Sequence, residues 1–272
     1  MKAYTAVGVM SGSSCDGLDI SLCTFIFQNG KWRFELHSSQ TQKFSTELKG
    51  KLNACRQLSG YELRRLDVEF GHFIGTSVNK FLHQTNLPVD LIASHGHTVF
   101  HDPANGINLQ IGDGNTIASL TKTDVIYDFR TLDIHRGGRG APLVPVGDKY
   151  LFADYEACLN LGGIANVTIN KPENFKAFDI CAFNQLLNMV SLRMGHEFDN
   201  EGNIGKTGKV LDAIIDGMNN WSYYKKNPGT ISNEMIERDL FPLLSSKYAP
   251  EDLLKSLYVH LVEKISEHLN TY

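Results

Sequence analysis

The chain has 272 residues, 42% of them hydrophobic and 21% charged, with a formal net charge of -4. That length and apolar content allow one sizeable core or two smaller ones. The mild negative charge offers neither a nucleic-acid-binding tail nor a polybasic membrane patch, so no nucleic-acid or membrane partner is expected.

The N-terminal stretch MKAYTAVGVM lacks the sustained apolar run of a signal peptide, and no later stretch is apolar for long enough to span a bilayer. Residues 4–10 and 18–29 read as strands joined by a Gly/Ser turn, with WRFELHSS at 32–39 as a third, which makes a β-meander. Residues 58–85 carry a long amphipathic helical pattern. VDLIASHG at 89–96 is a short apolar strand, NTIASLT a short helix and DVIYDF another strand. The stretch 130–147, RTLDIHRGGRGAPLVPVG, holds four glycines and two prolines and reads as a long functional loop or a domain crossing. ACLNLGG and IANVTI follow as strands joined by a short turn, and KAFDI is a third. The segments 184–194, 208–220 and 251–270 are helical. The boundary falls near 151, giving domains over 1–150 and 151–272. Three strands are few for so many helices to cover, so the second domain is expected to be compact or incomplete. Cys15, Cys23, Cys55, Cys158 and Cys181 are sparse, odd in number and without a CxxC pair. That pattern argues against structural zinc and for a reducing compartment, so a cytoplasmic protein is expected.

Two hairpins carry the chemistry. In VGVMSGSSCDGLDISLC, Gly12, Ser13, Ser14 and Gly17 surround Asp16, and Asp19 lies two residues beyond the turn. Glycines let backbone N–H groups converge, hydroxyls add donors, and a phosphate fits such a concavity. Asp16 or Asp19 would hold Mg²⁺, a cation that prefers oxygen ligands. The competing reading is an ordinary β-turn with Asp as its turn former, and the pattern is not a P-loop. LNLGGIANVT offers a second turn with Gly162 and Gly163, flanked by Asn160 and Asn166. One such hairpin in each domain suits a clamp on nucleotide phosphates, where catalysis needs oriented donors and a cation.

Asp179 stands near a strand end ahead of a helix, where a carboxylate can take a proton from a hydroxyl or water or simply cap the helix. Cys181 reads as a packed small residue. His95, His97 and His101 resemble a metal cluster at first glance. Gly96 and the polar run after it point instead to a loop whose imidazoles bond a polar substrate. Asp128 and Arg130 read as a pair holding the crossing. Arg136 or Arg139 meets a phosphate or carboxylate, or lies solvated. Tyr223, Tyr224, Lys225 and Lys226 form an aromatic-basic cluster that does not by itself make a nucleic-acid surface.

The stretches GVMSGSSCDGLD, IASHGHTVFHDP, NLQIGDGNTIA, VIYDFRTLDIHRGGRGAPLVP, LNLGGIANVT and AFDICAFNQLLN occur in this order over about residues 6–208. In this the chain resembles the anhydro-N-acetylmuramic acid kinase family, within the larger group of sugar kinases, Hsp70 and actin. The resemblance implies an α/β protein of two ribonuclease-H-like (actin-like ATPase) domains around a cleft. It implies ATP and Mg²⁺ as cofactors and an amino sugar, 1,6-anhydro-N-acetylmuramic acid, as the small-molecule partner. The γ-phosphoryl group is transferred while water opens the anhydro ring, giving N-acetylmuramic acid 6-phosphate. Asp179 matches the family's general base. Gly12, Ser13 and Asp16 match the first phosphate loop, and Gly162 and Gly163 the second. His95, His97, Thr98, Asp128, Arg130, Gly138 and Asn184 fall on the sugar side or its support. The family often forms dimers, so a homodimer is among the arrangements implied.

Several positions depart from that pattern. His97 stands where the family commonly has Gln, and Arg139 where it often has Gln. Ile180–Asn184 replaces a glycine-rich run after the catalytic Asp. A strand, a GGG-type loop and further helices that the family carries after the last helix have no counterpart. Two other readings follow: a non-catalytic sugar-binding remnant of the kinase, and a kinase or ATPase of the same fold acting on another substrate.

Overall fold

Burial alternates along Lys2–Ser11 (β1), with Val7 and Val9 inward and Met10 outward, as expected of a strand covered mainly on one face. The computed structural model describes all residues except 13, 14, 16, 86, 172, 226–228 and 272. β1 pairs antiparallel with Gly17–Gln28 (β2), with Val9 opposite Ile20 and Met10 opposite Asp19. Leu18, Ile20 and Leu22 are fully buried at every second position of β2. The outer strand Lys31–Lys43 (β3) runs well past the expected 32–39. It pairs along β2 as far as Gly17, and its SSQTQK end is polar because the strand is the uncovered edge of the sheet.

Thr46–Ala54 (α1) leads into Gly60–Leu82 (α2). Ser59 and Glu62 form a reciprocal capping box at the start of α2. Leu66, Phe70, Ile74, Val78 and Phe81 then line the face that α2 buries. Leu91–Ser94 (β4) pairs parallel with β1.

The expected loop after Gly96 is instead a hairpin, His97–Asp102 (β5) with Ile107–Ile111 (β6). Gly96 has φ +70, which ends β4, and a Cβ there would lie 2.4 Å from the Ile111 carbonyl oxygen. Only glycine allows that crossing. Gly114–Thr121 (α3) follows, and Asp124–Tyr127 (β7) completes a sheet of order β3-β2-β1-β4-β7, with β4 and β7 parallel.

The Gly/Pro-rich stretch 130–147 is also not one loop, since it contains Thr131–His135 (α4) and the start of Val144–Leu151 (α5). At the start of α4 Asp128 accepts hydrogen bonds from Thr131 N (3.3 Å) and Thr131 Oγ1 (2.6 Å), which gives the first helical amide a partner.

Met1–Leu151 makes up one compact unit and Phe152–Tyr272 another. In the second, Ala157–Leu161 (β8), Ile164–Lys171 (β9) and Asn174–Ala182 (β10) form an antiparallel sheet of order β10-β9-β8. Asn184–Leu192 (α6), Asp212–Asn219 (α7), Asn233–Asp239 (α8) and Pro250–Thr271 (α9) follow. α7 starts later than the expected 208 because the approach to it is pinned to α9. Lys209 N donates to Asp252 (2.7 Å) and Leu211 N to Ser256 Oγ (2.8 Å). The core joins Val167, Ile180, Leu186, Met218, Leu254 and Leu257 from strands and helices alike. Among the described residues no helix is long and apolar enough to cross a membrane.

Candidate active site

In the first unit the structure draws together most of the residues singled out on the sugar side. His95 follows β4 directly and is buried. Its Nδ1–H donates to Gly96 O (2.9 Å), which leaves Nε2 to accept from Arg130 Nε (3.1 Å) and Nη2 (2.9 Å). Burial pushes the His95 pKa down, the Gly96 carbonyl partly opposes it and the Arg130 charge adds a smaller downward push, consistent with this neutral tautomer. Arg130 Nη1 donates to Gly140 O (2.7 Å).

The expected Asp128–Arg130 pair does not form. Asp128 bonds Thr131 at the start of α4, while Arg130 ties His95 to the loop after α4. A lysine has one ammonium for these three contacts. Arg130→Lys is therefore expected to cost about 1–3 kcal/mol of stability, read by urea unfolding.

The loop itself is wound around Asp133. Gly138 N donates to Asp133 O (2.8 Å), and Gly140 N to Asp133 Oδ2 (2.7 Å). A Cβ on Gly138 would lie 2.1 Å from that carboxylate, so this glycine lets the loop close. Arg136 and Arg139 are exposed.

His97 begins β5 and faces the end of β1, with Nδ1 3.4 Å from Ser11 Oγ and its ring edge-on to Phe70. Burial, with His95 and Arg56 adding to it, pushes its pKa down. This favours its neutral form. Thr98 accepts from Gln110 Nε2 (3.4 Å), and Gln110 and Asn108 bond each other. Asn108 Nδ2 donates to Thr131 Oγ1 (3.1 Å), which reaches Asp128. Asn108, Gln110 and Asp128 line a cleft of about 210 Å³ with Arg64, Asp67 and Asp113. Burial would raise the Asp113 carboxyl, but the Thr116 hydroxyl and amide and the Arg64 guanidinium outweigh it and hold it low. The sequence reading did not single out this acidic–basic group. Its one local signal is the Asp-Gly start of α3.

His101 lies along β5, exposed, with Nδ1 3.3 Å from Asn108 Oδ1. Among the described residues, no group of three or more His, Cys, Asp or Glu side chains could hold a metal. Of the first turn, Ser13, Ser14 and Asp16 lie outside the described residues. Cys15 N donates to Gly12 O (3.2 Å), closing the turn. A Cβ on Gly17 would lie 2.8 Å from Thr41 Cγ2, so this glycine answers to β3. Asp19 is exposed, and its Oδ1 accepts from Thr41 Oγ1 (2.5 Å). No described residue donates to Asp19 Oδ2, and an oxygen donor of that kind suits a hard cation.

In the second unit, the Gly162–Gly163 tip is clamped onto the start of α6. Gly163 O accepts from Phe183 N (2.8 Å) and Gly162 O from Asn184 N (3.2 Å), while Asn184 Nδ2 donates to Leu161 O (3.0 Å). These carbonyls satisfy helix-start amides that would otherwise lack partners. Gly163 is exposed, and a Cβ on it would meet nothing within 4 Å, so there is open space beside the tip for a ligand. Asn160 is exposed opposite Asn166. The run Ile180–Asn184 needs no glycine, because Phe183 sits at φ -122.

Asp179 lies on β10 opposite Asn166, just before a β-bulge. Its Oδ2 accepts from Ile231 N (2.8 Å), and no described residue donates to Oδ1. Burial pushes its pKa up and the Ile231 amide pulls it partly back. A half-buried carboxylate with a raised pKa and one available oxygen is suited to accept a proton. Cys181 is fully buried, and burial pushes its thiol up to about 12, which leaves it inert.

Comparison with known proteins supplies the remaining evidence. A family model described as "Anhydro-N-acetylmuramic acid kinase" matches residues 4–271. Curated relatives of that name include proteins from three bacteria. The Pelagibacter ubique protein is 35% identical, over 83% of this chain and 65% of its own length. The Bacillus thuringiensis subsp. konkukian protein is 31% identical, over 98% and 76%. The Rhizobium johnstonii protein is 32% identical, over 93% and 72%. The chain thus spans about two thirds to three quarters of the length of these relatives. Among solved structures, an exopolyphosphatase from Cytophaga hutchinsonii aligns over 97% of this chain and 90% of that one. Its TM-score of 0.32 and 7% identity carry no weight for fold or function.

Proposed function

The chain belongs to the anhydro-N-acetylmuramic acid kinase family, and from that premise we propose that it converts 1,6-anhydro-N-acetylmuramic acid, ATP and water to N-acetylmuramic acid 6-phosphate and ADP. The observation that carries the reading onto this chain's own residues is Asp179, a half-buried carboxylate with one oxygen tied to Ile231 N and the other available.

In this reading Asp179 takes a proton from water as the water oxygen attacks C1 of the sugar. The C1–O6 bond breaks, O6 attacks the γ-phosphorus, and the bond from that phosphorus to the β,γ-bridging oxygen breaks to release ADP. The turn at Gly12–Asp16 and the tip at Gly162–Gly163 supply phosphate donors, and Asp16 and Asp19 the oxygens for Mg²⁺. When bound, that cation neutralises charge building on the phosphates. His97 offers an imidazole contact to sugar hydroxyls, with Thr98 next to it in sequence, while His95, both of whose ring nitrogens are already bonded, supports the sugar side together with Arg130 and Asp128. The order β3-β2-β1-β4-β7, antiparallel and then parallel, supports a ribonuclease-H-like first domain.

The test is incubation with ATP, Mg²⁺ and the anhydro-sugar, with mass spectrometry for the 6-phosphate. Product is expected. A folded chain that phosphorylates other sugars and not this one would overturn the substrate assignment.

A further inference from the structure

We propose that Tyr223 is a positioning residue for Asp179, stapling the Gly229–Ile231 segment to β10 so that one carboxylate oxygen is fixed and the other left available. The proposal rests on the reading of Asp179 as the base. Its evidence is a closed set of contacts within the second unit. Tyr223 is buried, and its hydroxyl donates to Asp179 O (2.5 Å) while accepting from Gly229 N (3.2 Å). Asp179 N donates to Gly229 O (2.9 Å). Two residues on, Ile231 N donates to Asp179 Oδ2 (2.8 Å). The segment is therefore tied to Asp179 by one backbone bond and one bond to the carboxylate, and the tyrosine hydroxyl bonds both Asp179 and Gly229.

Asp179 is thereby held through its carbonyl, its amide and one carboxylate oxygen. A carboxylate fixed in this way has little rotational freedom about χ2, and a general base works only when its lone pair is aimed at the proton. Burial pushes the Tyr223 phenol up to about 12, so it remains a neutral donor throughout any working pH. Among the described residues, the titratable groups near this contact include Cys181 on β10, Tyr224 beside Tyr223, and His260, Lys264, Glu267 and His268 on α9. His268 lies against Phe178, and the Lys264 charge acts on Cys181. Burial and the Ile231 amide set the proton equilibrium of Asp179 itself.

The decisive measurement is the titration of the Asp179 carboxyl by ¹³C NMR, assigned by its disappearance in Asp179→Asn. Tyr223→Phe removes one oxygen atom and loosens the staple. The Ile231 hydrogen bond to the charged form weakens, so the carboxyl midpoint is expected to move up. Tyr224→Phe, whose hydroxyl instead meets His260, is expected to leave it in place. An unchanged midpoint in folded Tyr223→Phe overturns the proposal. The wild-type protein gives a second arm that needs no variant. The Ile231 amide signal is expected to follow the Asp179 titration, and a flat response overturns the staple. In turnover, Tyr223→Phe is expected to lower kcat about tenfold with the KM of both substrates unchanged. A rise in KM at constant kcat overturns the positioning role. Wild-type protein without turnover defeats the kinase reading alone, since the NMR arms still decide this one.

Discussion

Asp179→Asn is expected to lower kcat about a thousandfold while leaving the fold intact. A positioned general base contributes roughly 10²–10⁴ to a rate, and the amide cannot take the proton. The structure explains why the fold survives. The Asn side-chain oxygen can still accept from Ile231 N, and Tyr223 bonds the backbone carbonyl, which the substitution leaves in place. Burial already disfavours the charged carboxyl, so removing the charge costs no ion pair. Because the folded-state pKa lies above the unfolded value, the ionised Asp179 weakens the fold at neutral pH. The variant should melt no lower than the wild type. Steady-state kinetics beside a thermal melt separate the two effects. Turnover within about tenfold of wild type would remove Asp179 from the role of base.

Acidification is expected to destabilise the second unit through His260. This side chain is fully buried on α9, with Nε2 3.2 Å from the Tyr224 hydroxyl and no partner for Nδ1 among the described residues. Burial first, and then the Lys264 charge against a smaller opposing effect of Glu267, pushes the imidazole from 6.5 down to about 4. The sign follows from linkage. The unfolded chain binds this proton at the higher pH, so the stabilising effect of a neutral His260 is whole above 6.5. It falls away between 6.5 and about 4. The loss by the bottom of that window is about 3 kcal/mol, on the order of a hundredfold in the folding equilibrium. Urea unfolding of wild type and His260→Leu at a series of pH values reads this directly. The variant should lose the part of the slope due to one proton, about 1.4 kcal/mol per pH unit at its steepest. Equal slopes in the two proteins would show that His260 does not titrate on unfolding.

The sequence by itself determined the elements whose signal is local. Alternation in β1 and β2, the stripe along α2 with its Ser59–Glu62 box, and the Gly162–Gly163 turn are each complete within a few neighbouring residues. Asp179 near a strand end ahead of a helix was legible for the same reason, as was the length of α9. Tertiary structure decided what the site residues do. Arg130 meets His95 across 35 residues, Tyr223 reaches Asp179 across 44, and Ile231 reaches it across 52. No periodicity encodes a pairing at such separations, so Arg130 read as a partner of its neighbour Asp128, and Tyr223 as one of an aromatic-basic cluster. The β5–β6 hairpin and α4 were hidden in the same way. Glycine-rich sequence says that the backbone is free to turn, while the contacts that choose the turn come from distant residues, Ile111 at Gly96 among them. Local sequence thus set which groups the site contains. Packing set which oxygen of Asp179 is held and which stands available, because hydrogen bonds between distant segments form only once the core has brought those segments together.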